Sequence, residues 1–190
     1  MGAYDTSKEL LRRADSKFVF RPQPVTDWHG GYPLPYALAE YFSELGPVDV
    51  WIQAYGNPYF LPSLGQLWAH QTGYRTHGLT HERIHDWDDD WLVVADEGGD
   101  PFIFSRASSG ILHAYHGEGV WEPTEMFDSL VEMATTFAII GDIVASAGRG
   151  LTDEDSLILP RYRQEARTRI GELLRSHERA DALVSTLGWA

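Results

Sequence analysis

Two apolar runs with acidic flanks lie between Trp87 and Phe104, in the stretch WDDDWLVVADEGGDPFIF. Trp91 to Ala95 is an unbroken apolar run, rich in valine, of the length expected for a strand buried on both faces. A second run, Phe102 to Phe104, follows the Gly98-Gly99 pair at once, which predicts a hairpin. Ser105 to Gly110 reads as a turn and Ile111 to His116 as a third neighbouring strand. Three short strands joined by tight turns make an antiparallel meander.

Upstream, Thr6-Ser7-Lys8-Glu9 has the form of a capping box and opens a short helix carrying Leu10, Leu11 and Ala14. Residues 16–33, with three prolines and a Gly pair, are expected to be extended and irregular. Leu34-Pro35 starts a second helix with Leu34, Leu38, Phe42 and Leu45 on one face, stopped by Gly46-Pro47. Val48 to Ala54 alternates apolar and polar positions, the pattern of a half-buried strand ended by Gly56-Asn57-Pro58. Ser63 is placed to cap a short helix bearing Leu64, Leu67, Trp68 and Gln71. Residues 73–86 are polar, rich in histidine and without a periodic signal.

The longest predicted helix runs from about Glu125 to Ala147. Met126, Leu130, Met133, Phe137, Ile140 and Val144 step along one face, and Phe127, Val131, Ile139 and Ile143 widen it. So apolar a helix belongs in a core. An acidic linker, Asp153 to Asp155, leads to Pro160 and a basic helical tail ending near Leu187. The pattern predicts an α+β fold, a mostly antiparallel meander with helices packed on it, plus a C-terminal helical extension. The expected division is an α+β domain over 1–150 and the extension over 151–190.

Charge adds an asymmetry. The chain carries −13 in all; residues 160–190 hold six Arg and four acids, so the −15 balance falls on residues 1–159. That excess argues against direct contact with nucleic acid and favours a basic partner. No Lys or Arg lies between Arg83 and Arg106, so the acids around the hairpin are expected to lack local partners. There is no cysteine, which removes disulfides, thiolate metal sites and cysteine nucleophiles. No apolar run approaches the roughly 20 residues of a membrane span, and the N-terminus lacks the order of a secretory signal. A cytoplasmic protein without membrane contact is expected.

Leu34-Pro35 opening a helix with Tyr41-Phe42, the segment from Trp91 to Phe104, the strand Gly110 to His116, Gly117-Glu-Gly-Val-Trp121 and the long helix with Phe127, Leu130 and Phe137 follow one another in order. Over residues 20–147 this order resembles the SUKH superfamily, named for a fungal cell-wall-synthesis regulator and its many bacterial relatives. The matching motif is an apolar strand, Asp, a Gly turn, Asp-Pro and an aromatic strand, a pattern of fold-determining residues. The resemblance implies binding in place of catalysis, because bacterial members look mostly like immunity proteins that neutralise toxins, often nucleases. Residues 1–15 and 151–190 depart from the common core, and 56–86 is long and His-rich.

The expected partner-binding face comprises Asp86, Asp88, Asp89, Asp90, Trp91, Asp96, Glu97, Asp100 and Trp121. Its acids would stand where a toxin's substrate phosphates go, and its tryptophans would anchor the contact. A solvated rim that guards strand edges is the plainer account of the same acids. If Trp91 lies in the sheet core, it leaves this face. Reversing Asp88, Asp89 and Asp90 to Lys is expected to weaken capture at nearly unchanged stability. Two alternatives are a scaffold or regulatory protein without a toxin, and a metal-dependent enzyme using His77, His81 and His85, four residues apart. Gly78 interrupts that spacing, and no nucleophile elbow or phosphate-binding loop is present. No catalytic residue, cofactor or metal is assigned.

Overall fold

Six strands run in chain order across one antiparallel sheet in the computed structural model, which describes residues 2–189. Six helices accompany them among the described residues, so the fold is α+β with a C-terminal helical part, as the pattern predicts. The chain forms two compact units. One comprises Val19–Trp51 and Tyr59–Leu130; the other comprises the residues up to Phe18, Ile52–Pro58 and the residues from Val131 onward. The long helix and the tail thus share a unit, with no division at residue 150.

The helical unit opens with α1 (Asp5–Ala14), which starts one residue before the expected capping box and takes Tyr4 as its N-cap. The long helix α4 (Leu130–Ala147) buries Met133, Phe137, Ile140 and Ile143. By length and mean hydropathy (1.6 over its best window) it could span a bilayer, contrary to the sequence expectation, but 67% of that window is buried within the protein. Two of its buried polar residues, Thr135 and Asp142, are satisfied from neighbouring helices. Ser7 Oγ and Thr135 Oγ1 lie 2.8 Å apart, and the buried Asp142 carboxylate accepts from Arg13 at 3.0 Å and Arg169 at 2.7 Å. Arg169 belongs to α5 (Pro160–Leu174), which begins with the proline favoured at a first helical position. Packed against α5 is α6 (His177–Thr186), whose Arg179 N–H donates to the Ser176 hydroxyl as a cap.

In the sheet unit, α2 (Tyr36–Glu44) buries Leu38, Tyr41 and Phe42 and ends at Gly46. Gly46 has φ +59°, and a Cβ there would meet the Arg21 carbonyl oxygen at 1.9 Å, so only glycine fits. Strand β1 (Val50–Ile52) is shorter than the predicted Val48–Ala54 because Asp49 adopts φ +50°, outside strand geometry. Its carboxylate instead accepts from the Ser63 N–H and hydroxyl, so Ser63 does not cap the next helix with its side chain. β2 (Tyr59–Leu61) is a strand the pattern does not predict. α3 (Leu64–Leu67) has its Leu64 N–H taken by Gln23 Oε1 at 2.7 Å.

β3 (Trp91–Glu97) and β4 (Asp100–Ser105) form the expected hairpin. Gly98 and Gly99 both have positive φ, as a two-residue turn matched to sheet twist requires. A register shift between Val93 and Ala95 bulges Val94 out of the ladder. β5 (Ile111–His113) pairs with β4, and β6 (Thr124–Phe127) pairs with β5 where the long helix was expected to begin. The register sorts side chains onto two faces. Tyr59, Ala95, Phe102 and His113 share one; Phe60, Val93, Ile103 and Leu112 share the other.

Candidate functional site

The Val93 face carries a second small core in which Trp87, Val93, Ile103 and Ala114 are buried, with Tyr74, Ile84, Trp91, Leu112 and Trp121 packed half-buried on it. What brings Tyr74 here is the edge left by the Val94 bulge. β2 pairs with β3 only at Asp96 and Glu97, so the Val93 backbone has no strand partner on that side. The buried Gln71 side chain takes the place of one: its Nε2 donates to the Val93 carbonyl at 2.9 Å and its Oε1 accepts from the Val93 N–H at 2.8 Å. That clamp fixes the turn after α3, and with it His70 on one side and Tyr74 on the other.

The rings then form a continuous series. Trp51 stacks on Phe60 with centroids 4.4 Å apart, Phe60 meets His70 at 5.3 Å, His70 meets Tyr74 at 6.0 Å, and Tyr74 meets Trp121 at 5.7 Å. Trp87 supports this end from below, 5.4 Å from both Trp91 and Trp121 in edge-on packing. Trp51, at the far end, is 52% exposed. An open pocket of about 440 Å³ sits against the series, lined by His70, Thr72, Tyr74, Gly99, His116 and Trp121 among others. A neighbouring hollow of about 390 Å³ lies on the other side of His70, between Phe60, Gln66 and Asp49.

Both pocket histidines are backed by carboxylates. His116 Nδ1 lies 2.6 Å from Asp100 Oδ1, which also accepts from the His116 N–H at 2.7 Å. His70 Nε2 lies 3.0 Å from Asp96 Oδ2, at ion-pair distance but without hydrogen-bond alignment. Burial, reinforced by Asp96 and Asp100, pushes the Tyr74 phenol well above its ordinary value, so it remains a neutral donor. Trp121 is held through its backbone, whose N–H donates to Asp86 Oδ2 at 2.9 Å.

The residues expected to share one acidic face are therefore divided. Asp96, Asp100, Trp91 and Trp121 gather at or beneath the pocket, and Asp86 anchors its Trp121 wall. Asp88 turns back to accept from the Asp90 N–H. The expectation that these acids lack local partners is corrected for two of them, because arginines come from outside the stretch. Asp89 binds Arg75 at 2.7 Å and also Arg83, whose hydrogen bond holds the carboxyl below its ordinary range. Asp90 binds Arg106 at 2.7 Å. Glu97 shares a face with Tyr59, away from Asp96; burial first, then the Asp100 charge, pushes it up to about 7. Trp87, next to these acids in the chain, is 1% exposed and structural.

His77, His81 and His85 are exposed on a loop closed by bridges between Thr72 and Thr76 and between Thr76 and Arg83. His81 has φ +59°, so the helix that would align all three does not form. Among the described residues no three His, Asp or Glu side chains gather as metal ligands. Sequence reasoning missed Trp51, Phe60, His70 and Tyr74. Trp51 alone had a signal, lying on the polar side of an alternating strand. Compared with protein-family models, with curated proteins and with solved structures, the chain gives no match.

Proposed function

We propose that this chain is a non-catalytic, cytoplasmic protein-binding module of immunity type, which neutralises a basic toxin domain by covering its substrate site. The ring series from Trp51 to Trp121 is the contact surface, and Asp96 and Asp100 supply its charge. One observation carries the reading: an open, aromatic-walled pocket backed by two carboxylates, none of whose lining residues is Lys or Arg, on a chain of net charge −13. Exposed rings beside a desolvated pocket are the usual anchors of protein interfaces, and surplus negative charge speeds capture of a basic partner. The SUKH-like order of elements supports the immunity class, with a nuclease as the kind of toxin whose phosphate-binding surface fits.

The test is capture by the full chain from cells that encode it, followed by co-expression with what is captured. A basic protein retained at moderate salt, toxic by itself and tolerated beside this chain, is the expected result. Recovery of several acidic or neutral proteins, unaffected by Trp121→Ala, contradicts the proposal.

A further inference from the structure

Twice within its sheet unit, this chain seats one of its own arginines between an aromatic ring and an aspartate. Arg106 lies 4.0 Å from the Tyr32 ring centroid while bonding Asp90 at 2.7 Å. Arg75 lies 5.5 Å from the Trp68 centroid while bonding Asp89 at 2.7 Å. The pocket beside Trp121 has the same parts without the cation. Tyr74 and Trp121 form walls inclined at 54°, Asp96 and Asp100 stand behind His70 and His116, and no Lys or Arg lines it.

Of the two histidines, His116 is hydrogen-bonded to its carboxylate, and His70 lies at ion-pair distance from Asp96. In the tautomer whose Nδ1–H donates to Asp100, the other His116 ring nitrogen is an acceptor. We propose that the pocket receives an arginine side chain of the partner protein, its guanidinium flat against Tyr74 or Trp121 and its N–H groups directed at the histidine–aspartate pairs. This rests on the protein-binding reading and names the partner group that the site selects. Arginine suits it better than lysine because a planar, weakly hydrated guanidinium stacks on rings while donating in its own plane. A protein source suits it better than a free metabolite because the ring series continues to exposed Trp51, offering apolar contact to a surface larger than one side chain.

The experiment uses the full chain and two capped amino acids, N-acetyl-argininamide and its neutral isostere N-acetyl-citrullinamide, followed through the indole N–H resonance of Trp121. The expected result is a saturable shift with the arginine probe that is at least about tenfold weaker with citrulline, a difference of about 1.4 kcal/mol. The doubly substituted Asp96→Asn, Asp100→Asn chain should lose the arginine response by a similar factor. Because the citrulline comparison uses the unaltered protein, it decides the matter even if those variants fold poorly. No saturable shift at Trp121, or an equal response to both probes, overturns the proposal. Capture of a basic partner is measured separately, so that result would leave the protein-binding reading standing.

Discussion

At the scale of single residues, what an acid does depends on which cation the fold brings to it. Asp89 and Asp90 stand in a run of acids yet spend their charge on Arg75, Arg83 and Arg106, of which Arg75 stacks on Trp68 and Arg106 on Tyr32. Reversing Asp88, Asp89 and Asp90 to Lys therefore sets like charges beside three arginines, and the triple variant should melt earlier than the parent in a thermal scan. Asp86 does different work, fixing the loop that carries Trp121. Asp86→Ala should lower partner affinity about tenfold while changing unfolding free energy by less than about 1 kcal/mol, the usual net worth of one exposed hydrogen bond. In the helical unit, Asp142 is buried and joins α1, α4 and α5 through two arginines. Asp142→Ala leaves those guanidiniums without their acceptor, and urea unfolding should show a loss of about 2 kcal/mol.

At the scale of elements, the β3–β4 hairpin was legible because a valine run, a Gly pair and an aromatic run are each strong local signals in one short stretch. β2 was not: three residues between Pro58 and Pro62 carry too little pattern, and pairing with Asp96 and Glu97 decides their state. β6 was misread because Met126 and Phe127 continue the helical spacing of α4 backwards, and pairing with β5 overrides that periodicity. The junction after α2 rests on Gly46. Gly46→Ala meets both a left-handed backbone and the Arg21 carbonyl, and should cost more than about 2 kcal/mol in urea unfolding. The end of β3 is sensitive to pH. Because Glu97 binds its proton more tightly in the folded chain than the ordinary 4.5, folding takes up a proton between about pH 4.5 and 7. Stability from this group falls as pH rises through that window and is level above it. Glu97→Gln should therefore raise the melting temperature at pH 8 and leave it unchanged near pH 4.

At the scale of the whole molecule, the α+β class and the acidic balance followed from the sequence, because both are sums over many residues. The site did not, beyond its Trp91, Trp121, Asp96 and Asp100 members close to the hairpin. Tyr74 comes from the segment that lacked periodicity and His70 from the end of the short helix predicted before it, and only the Gln71 clamp on bulged β3 sets them beside Trp121. A side-chain bond across 22 residues leaves no periodic trace in the chain. The surplus of −13 acts at longer range than any one pair, so association with a basic partner should slow as salt shortens the screening length to about 8 Å at 0.15 M. The most direct test measures affinity for the captured partner across a salt series, with the parent chain and with Asp96→Asn, Asp100→Asn. The account predicts that the parent binds tightly, that affinity falls with salt, and that the variant binds about tenfold or more weakly with a flatter salt dependence. Equal affinity and equal salt dependence in the two chains would contradict it.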